Sequence, residues 1–194
     1  MIETTILLVR HPETEANTAG RFVGQGESAY TAEGRRQVRR LARKLAHFQP
    51  DVLWSSPLER ALAVARRTSR LTHVPVRVDQ RLIELDFGAA HGLTWDEIVE
   101  AGIPFNYRSA DEPVAPGGES RSALEARVGE CLDEMCKAGG RNLVVAHAGV
   151  MRAGLVHLLG LSGEDSWLFH IHSAQMARVR VFDGHAQLEE YRQG

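Results

Sequence analysis

Apolar residues along this chain recur at two spacings. Unbroken runs at Ile6 to Val9, Val52 to Trp54 and Leu143 to Ala146 are short and rich in branched side chains, the pattern of strands buried on both faces. Val74 to Val78 reads as one more short strand, third in chain order. Elsewhere the spacing is i, i+3, i+4, i+7. Val38, Leu41, Ala42 and Leu45 form such a stripe after a capping Thr31, and Leu124, Val128, Cys131, Leu132 and Met135 form another that Gly139 and Gly140 end. Ser56-Pro57-Leu58-Glu59 has the form of a capping box with proline at the first helical position, which predicts a helix start there. A small helix is expected over 95–100, and another opens at Ala148-Gly149-Val150 and runs to Gly160.

Alternating strands and helices predict an α/β fold, three layers of helix, sheet and helix around a mostly parallel central sheet. The character changes from Ser173. Val179, Val181 and Phe182 lead to Asp183-Gly184, a tight-turn signal before a last short strand, so a C-terminal antiparallel hairpin is expected at the sheet edge. Three stretches lack a regular pattern. Residues 13–30 are polar and carry Gly20, Gly24 and Gly26, a loop long enough to be functional; 79–93 has no helical period and leaves Glu84 in a loop; 103–118, with Pro104, Pro113 and Pro116, is the candidate for a mobile lid or substrate-side cap.

Composition narrows the class. With 194 residues and 43% hydrophobic content the chain can bury one sizeable core, so residues 1–194 are read as a single domain. The net charge of −2, from 23 basic and 25 acidic residues, gives no global attraction to nucleic acid or to a membrane surface. Arg35, Arg36, Arg39, Arg40, Arg43 and Lys44 fall where the solvated face of a helix must lie, with no interleaved aromatics, and do not change that reading. No stretch approaches transmembrane length, and Met1 to Thr5 has no basic signal-peptide start. Cys131 and Cys136, five apart on one helix, lie on different faces of it; reduced thiols in a cytoplasmic protein are expected. The hairpin edge strand can pair in a homodimer.

Candidate chemistry sits at the strand ends. Arg10 and His11 follow the first strand directly, and Pro12, which has no N–H to give a ladder, stops that strand. An isolated Arg-His pair is more often a surface charge beside a loop histidine. Here, however, Arg60, Glu84 and His147 each follow one of the other three parallel strands, and in a wound sheet all those ends share one edge. Two guanidiniums, two imidazoles and helix starts near Arg60 and Ala148 make a pocket for a multiply charged oxyanion, with phosphate the natural guest. Such a pocket also stabilises a phosphoryl group in transfer. There is no P-loop lysine motif and no aspartate cluster of the Mg²⁺-holding kind, so the nucleophile is expected to be a side chain, His11, forming a phosphohistidine without metal or cofactor. A carboxyl at the mouth of an anion site is kept protonated by the phosphate charge, which suits Glu84 as general acid and then as base toward water.

Several blocks, in order and over nearly the whole chain, resemble the histidine phosphatase superfamily, also called phosphoglycerate mutase-like. They are Leu8-Val9-Arg10-His11-Pro12-Glu13-Thr14-Glu15-Ala16-Asn17, the Arg21 to Gln25 stretch, Thr31-Ala32-Glu33-Gly34, Ser55-Ser56-Pro57-Leu58-Glu59-Arg60-Ala61, Glu84 with Gly88, Pro116-Gly117-Gly118-Glu119-Ser120 and Val145-Ala146-His147-Ala148-Gly149-Val150. The resemblance implies that His11 is the phosphorylated nucleophile, that Arg10, Arg60 and His147 bind the phosphoryl group with help from Asn17, that Glu84 is the proton donor, and that Gly24 and Gln25 lie near the substrate. It implies a mixed, mostly parallel sheet flanked by helices. The sequence departs from the family at Pro12, where most members carry glycine; with the other pocket residues present, the geometry is expected to tolerate proline. Ala29-Tyr30 and Ala90-His91 depart where Pro-Leu and Trp-Glu are common, which points to a different substrate side.

The function expected is a phosphomonoesterase acting on a small phosphorylated metabolite. A phosphoglycerate mutase shares the pocket but resembles members with a longer insertion between the acid and the second histidine; here Glu84 and His147 are 63 positions apart, which favours the hydrolase. A catalytically silent phosphate-binding module is the alternative of another class. Phosphosugars, phosphoglycerates and α-ribazole phosphate all stay open as substrates. His170 and His172 alternate like strand residues but have no evident third metal ligand; His91 is the one further histidine that can reach substrate; Trp54, Trp95 and Trp167 are expected in the core.

Overall fold

A computed structural model describes residues 3–107 and 109–194. Met1, Ile2 and Arg108, the last inside the segment read as a lid, lie outside the described residues. In chain order the elements are β1 (Glu3–Arg10), α1 (Glu15–Thr18), α2 (Ala32–Ala46), β2 (Val52–Ser55), α3 (Glu59–Thr72), β3 (Val76–Val78), α4 (Trp95–Glu100), α5 (Arg121–Ala138), β4 (Gly140–Ala146), α6 (Ala148–Leu159), β5 (Gln175–Phe182) and β6 (His185–Gln193). Short 3₁₀ turns at Gln80–Leu82, Gly88–Ala90 and Gly163–Leu168 interrupt the loops.

The six strands form one sheet in the order β3-β2-β4-β1-β5-β6. The first four are parallel, and β5 and β6 run antiparallel at one edge, as the patterning predicts. Period-two alternation splits the core. Ile6, Leu8, Val144 and Ala146 face the layer of α5 and α6, while Leu7, Val9, Leu143 and Val145 face the layer of α2 and α3. Each fully buried aliphatic side chain contributes roughly 1.5–3 kcal/mol, so this double seam fixes the register of β1 against β4. Asp183 and Gly184 have φ of 49° and 74°, the left-handed pair that a two-residue hairpin requires.

Several expectations are corrected. β3 begins at Val76 rather than Val74, and β6 is nine residues long rather than short. Helix α3 begins at Glu59 with Leu58 as a cap that makes no side-chain bond, so the Ser56 capping box does not form. The Ser56 hydroxyl is instead bonded to His147 Nε2 at 2.7 Å, and the helix start is closed by Glu27 Oε1, which accepts from the Glu59 N–H at 2.7 Å. Trp54 is buried, but Trp95 and Trp167 are 48% and 59% exposed and belong to no core. Gln37 joins the buried face of α2 because its Oε1 accepts from the Glu13 N–H at 2.9 Å, while the six basic residues of α2 are all exposed. Both cysteines are free. Among the described residues no helix is long and apolar enough to cross a membrane.

Candidate active site

The register brings the polar residues together. Arg10 is paired with Ala146, and Ser55 with Val145, so the residues that follow, His11, His147 and Ser56, emerge side by side from three adjacent strands. The ladder continues one step past the apolar runs, with the His11 N–H donating to Ala146 O and the Ser56 N–H to Val145 O, both at 3.0 Å. The imidazoles of His11 and His147 meet edge to face, centroids 5.2 Å apart.

Both rings are almost wholly buried, and neither is charged in the free protein. Burial pushes each far below the ordinary histidine range, and the Arg10 and Arg60 guanidiniums push the same way. His11 Nδ1 lies 2.7 Å from Pro12 O. A carbonyl only accepts, so the single ring proton sits on Nδ1 and Nε2 carries the lone pair. Proline supplies the carbonyl this contact needs, and its backbone is not among the positive-φ positions, so Pro12 is accommodated. The Ser56 oxygen accepts from the Leu58 N–H at 3.3 Å and lies 2.7 Å from His147 Nε2.

Two arginines frame the rings. Arg10 Nη1 donates to Ile171 O at 2.8 Å, and Arg60 Nη2 to Gly24 O at 2.6 Å. Burial lowers the pKa of both, with the nearby Glu84 carboxylate partly offsetting it. Arg10 Nε and His147 Nδ1 are buried and make no hydrogen bond among the described residues. Glu84 Oε2 accepts from the Gly149 N–H at 3.2 Å, in the first turn of α6. Ala148 is the first residue of that helix, with His147 as its cap. Of the two helix starts expected to serve an anion, that of α6 stands at the site; that of α3 is already occupied by Glu27.

Arg127 holds the loop that presents Glu84. Its guanidinium donates to the carbonyls of Arg81, Ile83 and Glu84 at 2.7, 2.6 and 3.2 Å and makes a bidentate pair with Glu119 at 2.7 and 2.9 Å. Gln25 Nε2 adds a bond to Glu84 O at 3.2 Å. The segment 116–118 crosses the same loop so closely that a β-carbon on Gly88, whose φ is 48°, would stand 2.3 Å from Gly118 N. Asn17 lies beside Arg10 in a polar depression with Arg21, His170 and His172, its Oδ1 accepting from the Thr14 N–H at 3.2 Å. His170 and His172 are not in a strand; their rings tilt against each other 4.2 Å apart, and among the described residues no three potential metal ligands cluster. His91 packs against Gly26, where it supports the loop that holds Arg60.

Sequence reasoning missed Arg152. It sits one turn after Ala148 on α6, its Nε donating to Phe169 O at 3.0 Å, and its charge acts on both Glu84 and Arg10. The i, i+4 spacing from Ala148 was the available signal. Arg127 and the Ser56 contact had none, since both act through partners distant in sequence.

Comparison with known proteins agrees with this fold. The family model for the histidine phosphatase superfamily (branch 1) matches residues 6–194. Phosphoserine phosphatase 1 of Hydrogenobacter thermophilus is 31% identical over 182 residues, covering 91% of this chain and 86% of its own. The metal-independent phosphoserine phosphatase of Arabidopsis thaliana is 35% identical over 158 residues, 77% of this chain and 66% of its own. Among solved structures, the mycobacterial glucosyl-3-phosphoglycerate phosphatase in complex with VO3 superposes with a TM-score of 0.87 at 27% identity, covering 98% of this chain and all (100%) of that one.

Proposed function

Because the chain belongs to the histidine phosphatase superfamily, branch 1, and its relatives are phosphatases, we propose that it hydrolyses a small phosphomonoester through a phosphohistidine on His11. The observation that carries the assignment is the 2.7 Å contact of His11 Nδ1 with Pro12 O, which leaves Nε2 unprotonated among guanidiniums. Nε2 attacks phosphorus as the P–O bond to the alcohol breaks, and Glu84 protonates the departing oxygen. The Glu84 carboxylate then takes a proton from water, whose oxygen attacks the phosphohistidine; the P–N bond breaks and its electron pair returns to Nε2. Arg10, Arg60, His147 Nδ1 and the Ala148 N–H hold the phosphoryl oxygens, with the Asn17 amide at the rim and Gly24 and Gln25 on the substrate side. Arg10 Nε and His147 Nδ1, buried without partners, support this reading. Phosphoserine and glucosyl-3-phosphoglycerate, the substrates in the relatives' names, are small phosphomonoesters of the kind such a site turns over.

One sheet running through the fold supports treating 1–194 as one domain, and the free thiols of α5 support a cytoplasmic setting. The test is rapid quench with ³²P-labelled p-nitrophenyl phosphate. An acid-labile, base-stable adduct is expected on wild type and none on His11→Ala; an equal adduct on both, or none on a wild type that releases phosphate, rejects His11 as nucleophile.

A further inference from the structure

A cavity of about 230 Å³ opens beside Glu84, with Ala148 and Gly149 in its wall. On the reading of Glu84 as proton donor, the alcohol leaves into this cavity, so its lining selects the group attached to phosphate. That lining is aromatic. Three of the chain's six phenylalanines, Phe22, Phe87 and Phe105, come to it from three separate segments, and Trp167 closes another side. Phe22 packs on Phe87 and Phe105 at centroid distances of 5.1 and 5.2 Å, while Phe87 and Phe105 lie within 16° of parallel. All three are only half-buried, so the rings leave apolar surface turned to the cavity rather than closing on themselves.

Among the described residues, the cavity wall carries two arginines and two glutamates. Arg121 and Arg152 stand against Glu84 and Glu125, and Arg152 is already committed to Phe169 O and to the face of Trp167, 5.2 Å away. Arg121 Nη1 and Glu125 Oε1 form an ion pair at 3.7 Å in the cavity wall, with no hydrogen bond between them. A small, strongly hydrated zwitterion would be stripped of water against the phenylalanines, whereas a flat apolar group gains from the same contact.

We propose that the substrate is a phosphomonoester whose alcohol carries a planar aromatic group, seated against Phe22, Phe87 and Phe105. The experiment compares kcat/KM for 2-(1-naphthyl)ethyl phosphate, ethyl phosphate and phosphoserine. The naphthylethyl ester is expected to exceed both others by about 30-fold, mainly through KM, and its ratio over ethyl phosphate is expected to fall about tenfold in Phe105→Ala and in Phe87→Leu. Phosphoserine as the best substrate, no aryl advantage, or an advantage that survives both substitutions overturns the proposal. Calorimetry on His11→Ala reads the cavity without turnover. Tighter binding of the naphthylethyl ester than of ethyl phosphate there, with a wild type inert toward all three, upholds the cavity and rejects the hydrolase reading; equal binding rejects the cavity.

Discussion

Gly149 separates the placement of Glu84 from the stability of the fold. A β-carbon at this position would lie 2.4 Å from Glu84 Oε1, where real contacts essentially never fall under 3.0 Å, and 3.4 Å from Leu124 Cδ2, an ordinary distance. In Gly149→Ala the Glu84 carboxylate therefore has to retreat from the first turn of α6. The fold gives it room to do so, because the atom met is the end of a flexible side chain. Gly149 is helical with no left-handed requirement, so alanine favours the helix by about 0.5–1 kcal/mol. The cost falls on chemistry. Misplacing a catalytic group by about 1 Å lowers rate by roughly 10²-fold, which is about 2.7 kcal/mol of barrier. The assay is kcat/KM for two esters, since that quantity reports steps only through cleavage of the P–O bond. An alkyl phosphate needs its leaving oxygen protonated and should lose about 10²-fold; p-nitrophenyl phosphate, whose leaving group departs unprotonated, should lose less than about threefold. Thermal unfolding should show no loss of stability. Equal losses with both esters, or none with either, refute the placement of Glu84 as the proton donor.

Ser56→Ala leaves His147 Nε2 buried and unpaired, so a loss of about 1–3 kcal/mol is expected in chemical denaturation, together with weaker inhibition by inorganic phosphate; unchanged stability rejects the Ser56 contact. Stability should also depend on pH through the two buried imidazoles, whose folded pKa values are depressed. The unfolded chain then binds more protons below its pKa of about 6.5, so stability is full above that pH and declines as pH falls, by up to roughly 1.4 kcal/mol per unit for each ring. Urea titrations between pH 8 and 5 check this, His147→Gln should lessen the slope, and a flat profile counts against neutral rings. Arg127→Gln removes the clamp on the carbonyls of Arg81, Ile83 and Glu84 and should lower alkyl phosphate turnover about tenfold more than that of p-nitrophenyl phosphate; a uniform loss with both esters assigns Arg127 to stability alone.

The legible parts of the sequence are those where local pattern and tertiary role agree. The stripes of α2 and α5, the runs of β1 and β4 and the Asp183-Gly184 turn carry their periods or backbone demands in adjacent residues. What escaped depends on partners far along the chain. Ser56 has every local mark of a helix cap, but His147, 91 residues away, engages its hydroxyl, and Glu27 closes the helix in its place. Gln37 is buried because a backbone N–H 24 residues away needs its oxygen. Trp95 and Trp167 have the composition of core residues, yet Trp95 packs edge-on against Phe105 and Trp167 stacks under Arg152, both at the surface of the loop side.

The convergence of Arg10, His11 and His147 was legible for the same reason that the core was. The parity that sends Leu7 and Val9 to one layer and Ile6 and Leu8 to the other also sets which way the next residues point once the apolar run ends. A slip of β1 against β4 by one residue would expose both layers and exchange Arg10 with His11 at the rim, so the buried aliphatic side chains enforce the spacing of the two imidazoles as strictly as they enforce the fold. Glu84 has no such anchor. It stands six residues beyond β3, on a loop of 3₁₀ turns, and its position rests on Arg127, Gln25 and the crossing at Gly88. The half of the site built on the strand ends is thereby as rigid as the sheet, and the half that carries Glu84, with the aromatic cavity beside it, is the half that substitution can retune.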